Sequence, residues 1–168
     1  SDSAMQRWTI TTVEGTDTAA IQDVRSVLQA YHDDLIAEIG ATTLTTELEI
    51  LPAPYTAPDG ALLVARDGDG QAVGCVGVKG FSDSECEIKR LYVAAGSRGS
   101  GLGRALVRAA MDQARAMGYR EVLLIAVART TTSAQRIYRD MGFEVTPQYR
   151  ATPLGWDPAR FLFMRRSL

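Results

Sequence analysis

The residues best suited to chemistry lie in a glycine-rich segment, Arg98-Gly99-Ser100-Gly101-Leu102-Gly103-Arg104. A strand-like stretch precedes this segment, and an amphipathic helical pattern follows it. The first turn of a helix has N–H groups without intrahelical partners, and the helix dipole adds partial positive charge there. Glycines let the backbone approach a ligand closely, and Arg98 and Arg104 add cations that can reach phosphate oxygens. The segment therefore predicts a binding site for a phosphate or pyrophosphate group.

Two common phosphate-binding motifs do not fit this segment. A P-loop requires Lys and then Ser or Thr after its last glycine, whereas Gly103 is followed by Arg104 and Ala105. The dinucleotide pattern G-x-G-x-x-G fails from both possible starts, because its sixth position is Arg104 or Leu106. The segment also follows several predicted antiparallel strands, which is the wrong context for a dinucleotide-binding unit.

A third motif does fit. Arg98-x-x-Gly101-x-Gly103 resembles the pyrophosphate loop of the GNAT acetyltransferases, in which Arg or Gln is followed by x-x-Gly-x and then Gly or Ala. The resemblance covers nearly the whole chain and is strongest from Gly74 to Val145. It implies that acetyl-CoA is the co-substrate. The residues that it assigns to cofactor binding are Leu91, Tyr92, Val93, Arg98, Gly99, Ser100, Gly101, Leu102, Gly103, Arg104, Ser133 and Gln135.

A second segment, from Thr132 to Phe143, resembles the other signature of the same family, a helix that carries a Tyr shortly before Gly-Phe. The resemblance implies that Tyr138 faces the sulfur of coenzyme A and protonates the leaving thiolate. A thiol has a pKa of about 8.5, and a positioned phenol can donate a proton as the C–S bond breaks. Alternatively, Tyr138 packs against the sheet with its hydroxyl hydrogen-bonded. The family's oxyanion donor is a backbone N–H on a strand that splays from its neighbour, and residues 91 to 93 match that position.

The acceptor amine needs a base. An alkyl amine with a pKa near 10.4 is mostly protonated at neutral pH, and freeing it costs about 4 kcal/mol. A carboxylate can accept that proton. Glu87 is the first candidate, because its separation from Arg98 matches that of the catalytic glutamate in some family members. Glu85 lies on the same strand face. The alternative is a solvated or ion-paired Glu87, with Lys79 across the hairpin as its partner.

The resemblance implies that the first helices and the last hairpin enclose the acceptor, in ranges 31–55 and 146–157. The polar and aromatic residues available there are Glu47, Glu49, Tyr55, Tyr149 and Arg150. Carboxylates would suit a cationic amine, whereas Arg150 would suit an amine that carries a carboxylate, and the sequence leaves both open. Lys89 and Arg90 are interpreted first as surface charge, with the alternative that one of them points to the acceptor. His32 is interpreted first as a surface or packing residue, with a role at the substrate as the alternative.

Hydrophobic periodicity predicts the elements that position these residues, in the order β-α-α-β-β-β-α-β-α-β-β. The first helix has an apolar face formed by Ile21, Val24, Leu28, Tyr31, Leu35 and Ile39. The predicted fold is α/β, of the α+β type: a mixed, mostly antiparallel central sheet of six to seven strands with about four flanking helices. One domain is expected over residues 5–168, and Ser1 to Ala4 are interpreted as an expression scar.

The composition limits the kinds of partner that the protein is expected to bind. The net charge is −2, whereas a protein that binds nucleic acid is expected to carry a strongly basic surface. No apolar run approaches the length of a membrane span. Two cysteines, Cys75 and Cys86, without a secretory signal indicate a reducing cytoplasm, and they are interpreted as small apolar residues. Together with one histidine, they make a metal site unexpected.

The sequence thus predicts an N-acetyltransferase that moves an acetyl group from acetyl-CoA to a primary amine of a small molecule, by direct attack in a ternary complex. The alternatives are an acyl-CoA-binding sensor or interaction domain, a protein or peptide N-acetyltransferase, and an acyltransferase that uses a longer acyl-CoA or an oxygen acceptor. A homodimer is compatible with the fold.

Overall fold

The computed structural model describes residues 8–40, 42–128 and 132–168, without the side chains of residues 132 and 133. The predicted order of elements is confirmed. The strands and helices are β1 (Trp8–Thr12), α1 (Thr18–Ile39), α2 (Leu44–Ile50), β2 (Ala61–Asp67), β3 (Ala72–Gly80), β4 (Glu85–Val93), α3 (Leu102–Ala116), β5 (Glu121–Val127), α4 (Thr132–Asp140), β6 (Glu144–Val145) and β7 (Phe161–Ser167). Short 3₁₀ turns occupy Ala95–Ser97, Pro153–Gly155 and Pro158–Arg160.

The strands form one seven-stranded sheet in the order β1-β2-β3-β4-β5-β7-β6. The pairing of β4 with β5 is parallel, and the other described pairs are antiparallel. Parallel neighbours need a long crossover, and α3 provides it. The prediction of a mixed, mostly antiparallel sheet is therefore confirmed.

Helices cover both faces of the sheet and define two cores. The α1–α2 face buries a cluster formed by Ile21, Val24, Val27, Leu28, Leu48, Leu51, Tyr55, Leu62, Val64 and Cys75. The α3–α4 face buries a larger cluster that includes Val76, Ile88, Leu102, Leu106, Val107, Val122 and Leu124. In β2, β3 and β4, side chains alternate between the two clusters, so a change in alternation along one of these strands moves a residue from one face to the other.

Such a change occurs in β4. Cys75 pairs with Tyr92 and Gly77 pairs with Lys89, so two residues of β4, at positions 90 and 91, lie opposite one residue of β3. This is a β-bulge, and Arg90 adopts the left-handed conformation with φ 61°. Because the extra residue shifts the alternation, Lys89 and Arg90 both face α1 and α2, while Leu91 packs against the α3–α4 cluster.

The strands β4 and β5 separate after a short contact. Their pairing covers Glu85 to Glu87 on β4 and Glu121 to Leu123 on β5. Beyond Glu87, β4 has no strand partner on this side within the described pairing, although both strands continue for several residues. The predicted splay is confirmed, and it leaves a gap in the middle of the sheet that opens toward the glycine-rich segment.

Candidate active site

A large cavity of about 830 Å³ occupies the outer part of this gap. Its floor and walls come from the end of β4, the glycine-rich segment, the start of α3, the end of β5, and α4. The described residues that line it include Tyr31, Asp34, Leu91, Tyr92, Val93, Ser97, Arg98, Gly99, Gly101, Gly103, Arg104, Ile125, Val127, Arg136, Ile137 and Tyr138. Most of the residues that the sequence assigned to the cofactor therefore lie around one cavity.

The backbone at the start of α3 is arranged to receive an anion. Gly101 is the N-cap and has φ 89°, a conformation that strains any residue with a Cβ. The first helical bond runs from the Ala105 N–H to the Gly101 carbonyl, at 3.1 Å. The N–H groups of residues 102 to 104 therefore have no acceptor within the helix, and no side chain caps them. This geometry fits a pyrophosphate group.

Arg98 is held in place beside this turn. Its Nε donates to the Val93 carbonyl at 2.9 Å, and a terminal nitrogen lies 3.2 Å from Oδ2 of Asp34 on α1. The same Asp34 oxygen accepts a hydrogen bond of 2.6 Å from the Tyr92 hydroxyl, which lowers the pKa of Asp34. The ring of Tyr92 stacks on Tyr31, with 5.0 Å between centroids. Arg104 pairs with Asp140 at 3.2 Å.

A smaller cavity of about 300 Å³ lies on the α1–α2 side of the gap. It includes Leu35, Ile39, Thr43, Glu87, Lys89, Arg90, Arg150, Pro153, Leu154, Trp156 and Phe161. Six residues line both cavities: Tyr31, Leu35, Leu91, Ile125, Val127 and Tyr138. The two spaces therefore meet between β4 and β5, and Tyr138 stands at the junction.

Tyr138 reaches this junction from α4. Its side chain is 8% exposed, and its ring packs edge-on against Phe143 at 5.7 Å. The hydroxyl makes no hydrogen bond to any residue that the structure describes. Burial, with a smaller contribution from Tyr31, raises the pKa of Tyr138 well above its ordinary value. The phenol is therefore protonated at neutral pH and free to donate to a ligand.

Glu87 is the buried carboxylate of the smaller cavity, with 4% exposure. Its Oε2 accepts hydrogen bonds from the Tyr149 hydroxyl at 2.6 Å and from Nε of Arg150 at 2.8 Å. Lys79 is the register partner of Glu87 across the hairpin, but the described ion pair of Glu87 is with Arg150. The residues of the last hairpin thus hold the carboxylate in a fixed orientation.

The preferred interpretation of Lys89 and Arg90 as surface charge is wrong, and the alternative, that one of them points to the acceptor side, understates the arrangement. Both line the smaller cavity, and the Arg90 side chain is only 14% exposed. Arg90 forms an ion pair of 2.5 Å with Glu47 of α2, whose other carboxylate oxygen accepts from the Tyr55 hydroxyl at 2.7 Å. Lys89 lines the same cavity, and the charges of both pairs act on its ammonium group. Burial and the nearby Arg90 charge lower the pKa of Lys89 to about 8.

Several other candidates lie elsewhere. Glu85 binds Ser82 and Arg165 at the far end of β4, Glu49 is exposed, and Tyr55 is buried in the α1–α2 core. His32 contacts Gln29, Asp33 and Thr45, outside both cavities. The thiols of Cys75 and Cys86 are free and buried, and burial raises their pKa to about 12. Within the described ranges, no group of His, Cys, Asp or Glu could hold a metal ion.

Four assigned cofactor residues are not among the described residues that line the larger cavity. The Ser100 hydroxyl donates to the Ser97 carbonyl at 2.6 Å. The Leu102 side chain is buried in the α3–α4 core, so its backbone N–H is the group available to a ligand. The side-chain amide of Gln135 donates to the carbonyls of Val127 and Ala128, at 3.2 and 3.0 Å, and ties α4 to the end of β5. The Ser133 side chain lies outside the described residues.

Sequence reasoning missed part of the site. Tyr31, Leu35 and Ile39 of α1 line the cavities, within the range 31–55 that the resemblance assigned to the acceptor wall, but none of the three was singled out as a site residue. Their helical spacing signalled a buried face and could not show that the sheet opens beneath it. Asp34 was missed because a lone carboxylate on a helix resembles ordinary surface charge.

Comparison with known proteins defines the class. The family model described as the acetyltransferase (GNAT) family matches residues 24–143. An uncharacterized N-acetyltransferase of Schizosaccharomyces pombe is 34% identical over 135 residues, which cover 80% of this chain and 82% of that protein. The uncharacterized N-acetyltransferase YjgM of Escherichia coli is 33% identical over 72% of each chain. An acetyltransferase structure from Streptococcus agalactiae aligns with a TM-score of 0.77 over 98% of this chain and 100% of that one, at 17% identity.

The fold is therefore that of an acetyltransferase. The chain belongs to the acetyltransferase (GNAT) family, and it is an N-acetyltransferase that depends on acetyl-CoA. In the described part of the chain, no helix is both long enough and apolar enough to cross a membrane.

Proposed function

We propose that the chain transfers the acetyl group of acetyl-CoA to the primary amine of a small molecule, by direct attack in a ternary complex. The observation that carries this proposal is the meeting of two cavities at Tyr138, between the separated strands β4 and β5. The larger cavity presents the features of an anion site, and the smaller one presents a carboxylate. Two reactants can thus approach each other from opposite sides of the sheet.

The larger cavity suits coenzyme A. The unpaired N–H groups at the start of α3 and the helix dipole would hold the pyrophosphate. Arg98 and Arg104 line the same space and can add charge-assisted hydrogen bonds. Each is already paired with a carboxylate, Arg98 with Asp34 and Arg104 with Asp140. Binding of the cofactor would therefore exchange these partners for phosphate oxygens.

The smaller cavity supports a small acceptor. Its volume of about 300 Å³ is at the lower end of the range for small-molecule sites. The segment from Pro153 to Trp156 and the ring of Phe161 wall it on the side of the last hairpin. A compact amine would be largely enclosed there.

Bound acetyl-CoA supplies the thioester that the amine attacks. Tyr138 would donate a hydrogen bond to the departing sulfur. The pKa of an ordinary phenol, about 10, already exceeds that of a thiol, about 8.5, and burial raises the pKa of Tyr138 further. The hydroxyl would therefore stabilise the developing thiolate by hydrogen bonding and deliver its proton late. Glu87 would accept the proton of the incoming amine, through the carboxylate oxygen that Tyr149 and Arg150 leave unoccupied. An N–H of the bulged end of β4, in residues 91 to 93, would stabilise the oxyanion.

Titration calorimetry with acetyl-CoA and coenzyme A, followed by thiol release against an amine panel, tests the proposal. We expect micromolar binding and thiol release with one or more small amines. Binding without turnover would favour a sensor, and turnover with peptides alone would favour a protein N-acetyltransferase. A parallel panel of longer acyl-CoAs and of alcohols tests the remaining alternative. The cytoplasmic location and the homodimer stay predictions.

A further inference from the structure

The charges that face the smaller cavity do not balance. Arg150 is paired with Glu87, and Arg90 is paired with Glu47. Lys89 lines the cavity with Arg90 and Arg150, is half-buried, and has no hydrogen bond or ion pair with any described residue. Lys89, Arg90 and Arg150 therefore line one cavity together with Glu87, and even with Glu47, the partner of Arg90, three cations are matched by only two carboxylates. Burying an unpaired cation is unfavourable, so the cavity is set up to receive an anionic group.

The bulge in β4 is responsible for this arrangement. Without the extra residue, strict alternation from Ile88 would place Arg90 on the α3–α4 face. The bulge turns Arg90 toward Glu47, so that Glu47 neutralises Arg90 rather than Lys89. The Lys89 ammonium group therefore lines the cavity without a carboxylate partner of its own. The nearby Glu87 is already paired with Arg150.

Glu87 and Lys89 are also spaced for a zwitterion. They are two residues apart on the same face of a strand, upstream of the bulge, which separates their Cα atoms by about 7 Å. An ammonium group at Glu87 and a carboxylate at Lys89 can both be satisfied by one α-amino acid. The rest of the cavity is largely apolar, with Leu35, Ile39 and Phe161 among its walls.

We infer that the acceptor is an amine that carries a carboxylate next to the reactive nitrogen, with an apolar side chain, and that Lys89 binds that carboxylate. This inference rests on the proposed acetyl transfer and specifies its substrate class. A free amino acid of this type satisfies the Lys89 charge, whereas the N-terminus of a peptide, in which the carboxylate has become an amide, does not.

The test compares free amino acids with their amides. Phenylalanine, leucine, methionine and tryptophan are each paired with the corresponding amino-acid amide, which keeps the shape and removes the negative charge. The amide has the less basic amine, so intrinsic reactivity favours the amide. We expect the wild type to prefer the acid by tenfold or more in kcat/KM for at least one pair.

Three variants assign that preference to Lys89. Lys89→Met should reduce the acid-to-amide ratio by tenfold or more, and Lys89→Arg should retain most of it. Lys79→Met is the matched control, because Lys79 lies on the neighbouring strand outside the cavity and its loss should leave the ratio unchanged. A second measurement needs no turnover, because it follows binding of the reaction products in the presence of coenzyme A. The Kd of N-acetylphenylalanine should be at least tenfold higher for Lys89→Met than for the wild type. The Kd of N-acetylphenylalanine amide should be the same for both proteins.

The outcomes separate the two proposals. If no amine in any panel is acetylated, the proposed function fails. If amines are acetylated but the wild type prefers the amides throughout, or Lys89→Met keeps the wild-type ratio, the inference about the acceptor is overturned while acetyl transfer stands.

Discussion

Asp34 of α1 and Arg98 of the glycine-rich segment form an ion pair of 3.2 Å across the mouth of the larger cavity. They are 64 residues apart in sequence. Both side chains are about half exposed, at 47% and 52%, so solvent screens the pair. Asp34 nevertheless places a negative charge where the phosphates of the cofactor are expected.

Removing that charge should therefore tighten cofactor binding. In Asp34→Asn, the Val93 carbonyl still orients the Arg98 guanidinium, and its terminal nitrogen becomes available to phosphate. We expect the Kd of coenzyme A to fall about threefold, consistent with an exposed pair worth about 0.5 kcal/mol. Titration calorimetry at low salt measures this change in the Kd of coenzyme A. Asp33→Asn removes the same charge from the neighbouring, exposed position and should have no effect. Weaker binding in Asp34→Asn would mean that Asp34 orients Arg98 for the ligand.

Tyr138→Phe should lower kcat by tenfold or more, about 1.4 kcal/mol of transition-state stabilisation, with little change in the Kd of acetyl-CoA. The lost hydroxyl has no hydrogen bond to the described protein, so the fold should be unaffected. Tyr119→Phe is the control, because its hydroxyl bonds the Asp59 carbonyl away from both cavities. An unchanged kcat in Tyr138→Phe would remove the role of proton donor.

Glu87→Gln should be most harmful at low pH. With the Glu87 carboxylate present, the enzyme can bind the protonated substrate, which is the abundant form, and remove its proton. The value of kcat/KM therefore does not change with pH below the pKa of the substrate amine. Without it, only the free amine reacts, and kcat/KM falls tenfold for each pH unit below that pKa. The wild-type-to-variant ratio should therefore grow about tenfold per unit from pH 8 to pH 6. Glu85→Gln is the control on the same strand face, and its dependence of kcat/KM on pH should match that of the wild type. If the pH dependence of Glu87→Gln also runs parallel to that of the wild type, Glu87 is not the base.

Gly103→Val should strongly weaken cofactor binding. A Cβ at this position would already lie 3.3 Å from Cδ1 of Ile137, and a larger side chain would extend into the space expected for the pyrophosphate. We expect the Kd of acetyl-CoA to rise at least tenfold. Gly96→Val is the control, since a Cβ there meets nothing within 4 Å and φ is not left-handed. Tight binding by a folded Gly103→Val variant would place the cofactor elsewhere.

The Glu47–Arg90 pair should stabilise the fold in a pH-dependent way. Burial raises the pKa of Glu47, but the charge and hydrogen bonds of Arg90 and a bond from Tyr55 lower it by more, so the net pKa lies below its ordinary value. Its contribution to the unfolding free energy is thus present above the unfolded pKa and is lost as the pH falls through the folded one.

Glu47→Gln should therefore cost about 3 kcal/mol at pH 7, the scale for breaking a buried pair, and the difference should shrink toward pH 3. Urea unfolding at several pH values measures this. Glu49→Gln, on the exposed side of α2, provides the matched control. A difference that is independent of pH would show that packing, rather than charge, accounts for the loss.

The sequence by itself determined the features that depend on neighbouring residues. Hydrophobic periodicity predicted the element order, because alternation and helical spacing are local properties of the chain. The spacing of Arg98, Gly101 and Gly103 predicted an anion site for the same reason, since a helix start presents its N–H groups whatever surrounds it.

Tertiary structure decided which side chains meet. The partner of Glu87 is Arg150, 63 residues further along the chain, rather than its register neighbour Lys79. The bulge at Arg90 reversed the alternation and moved a cation onto the acceptor face, which no local pattern indicates. Side-chain pairing depends on how helices and strands pack, and that packing brings together residues that are distant in sequence. The free Lys89 charge is therefore a property of the assembled sheet and its helices.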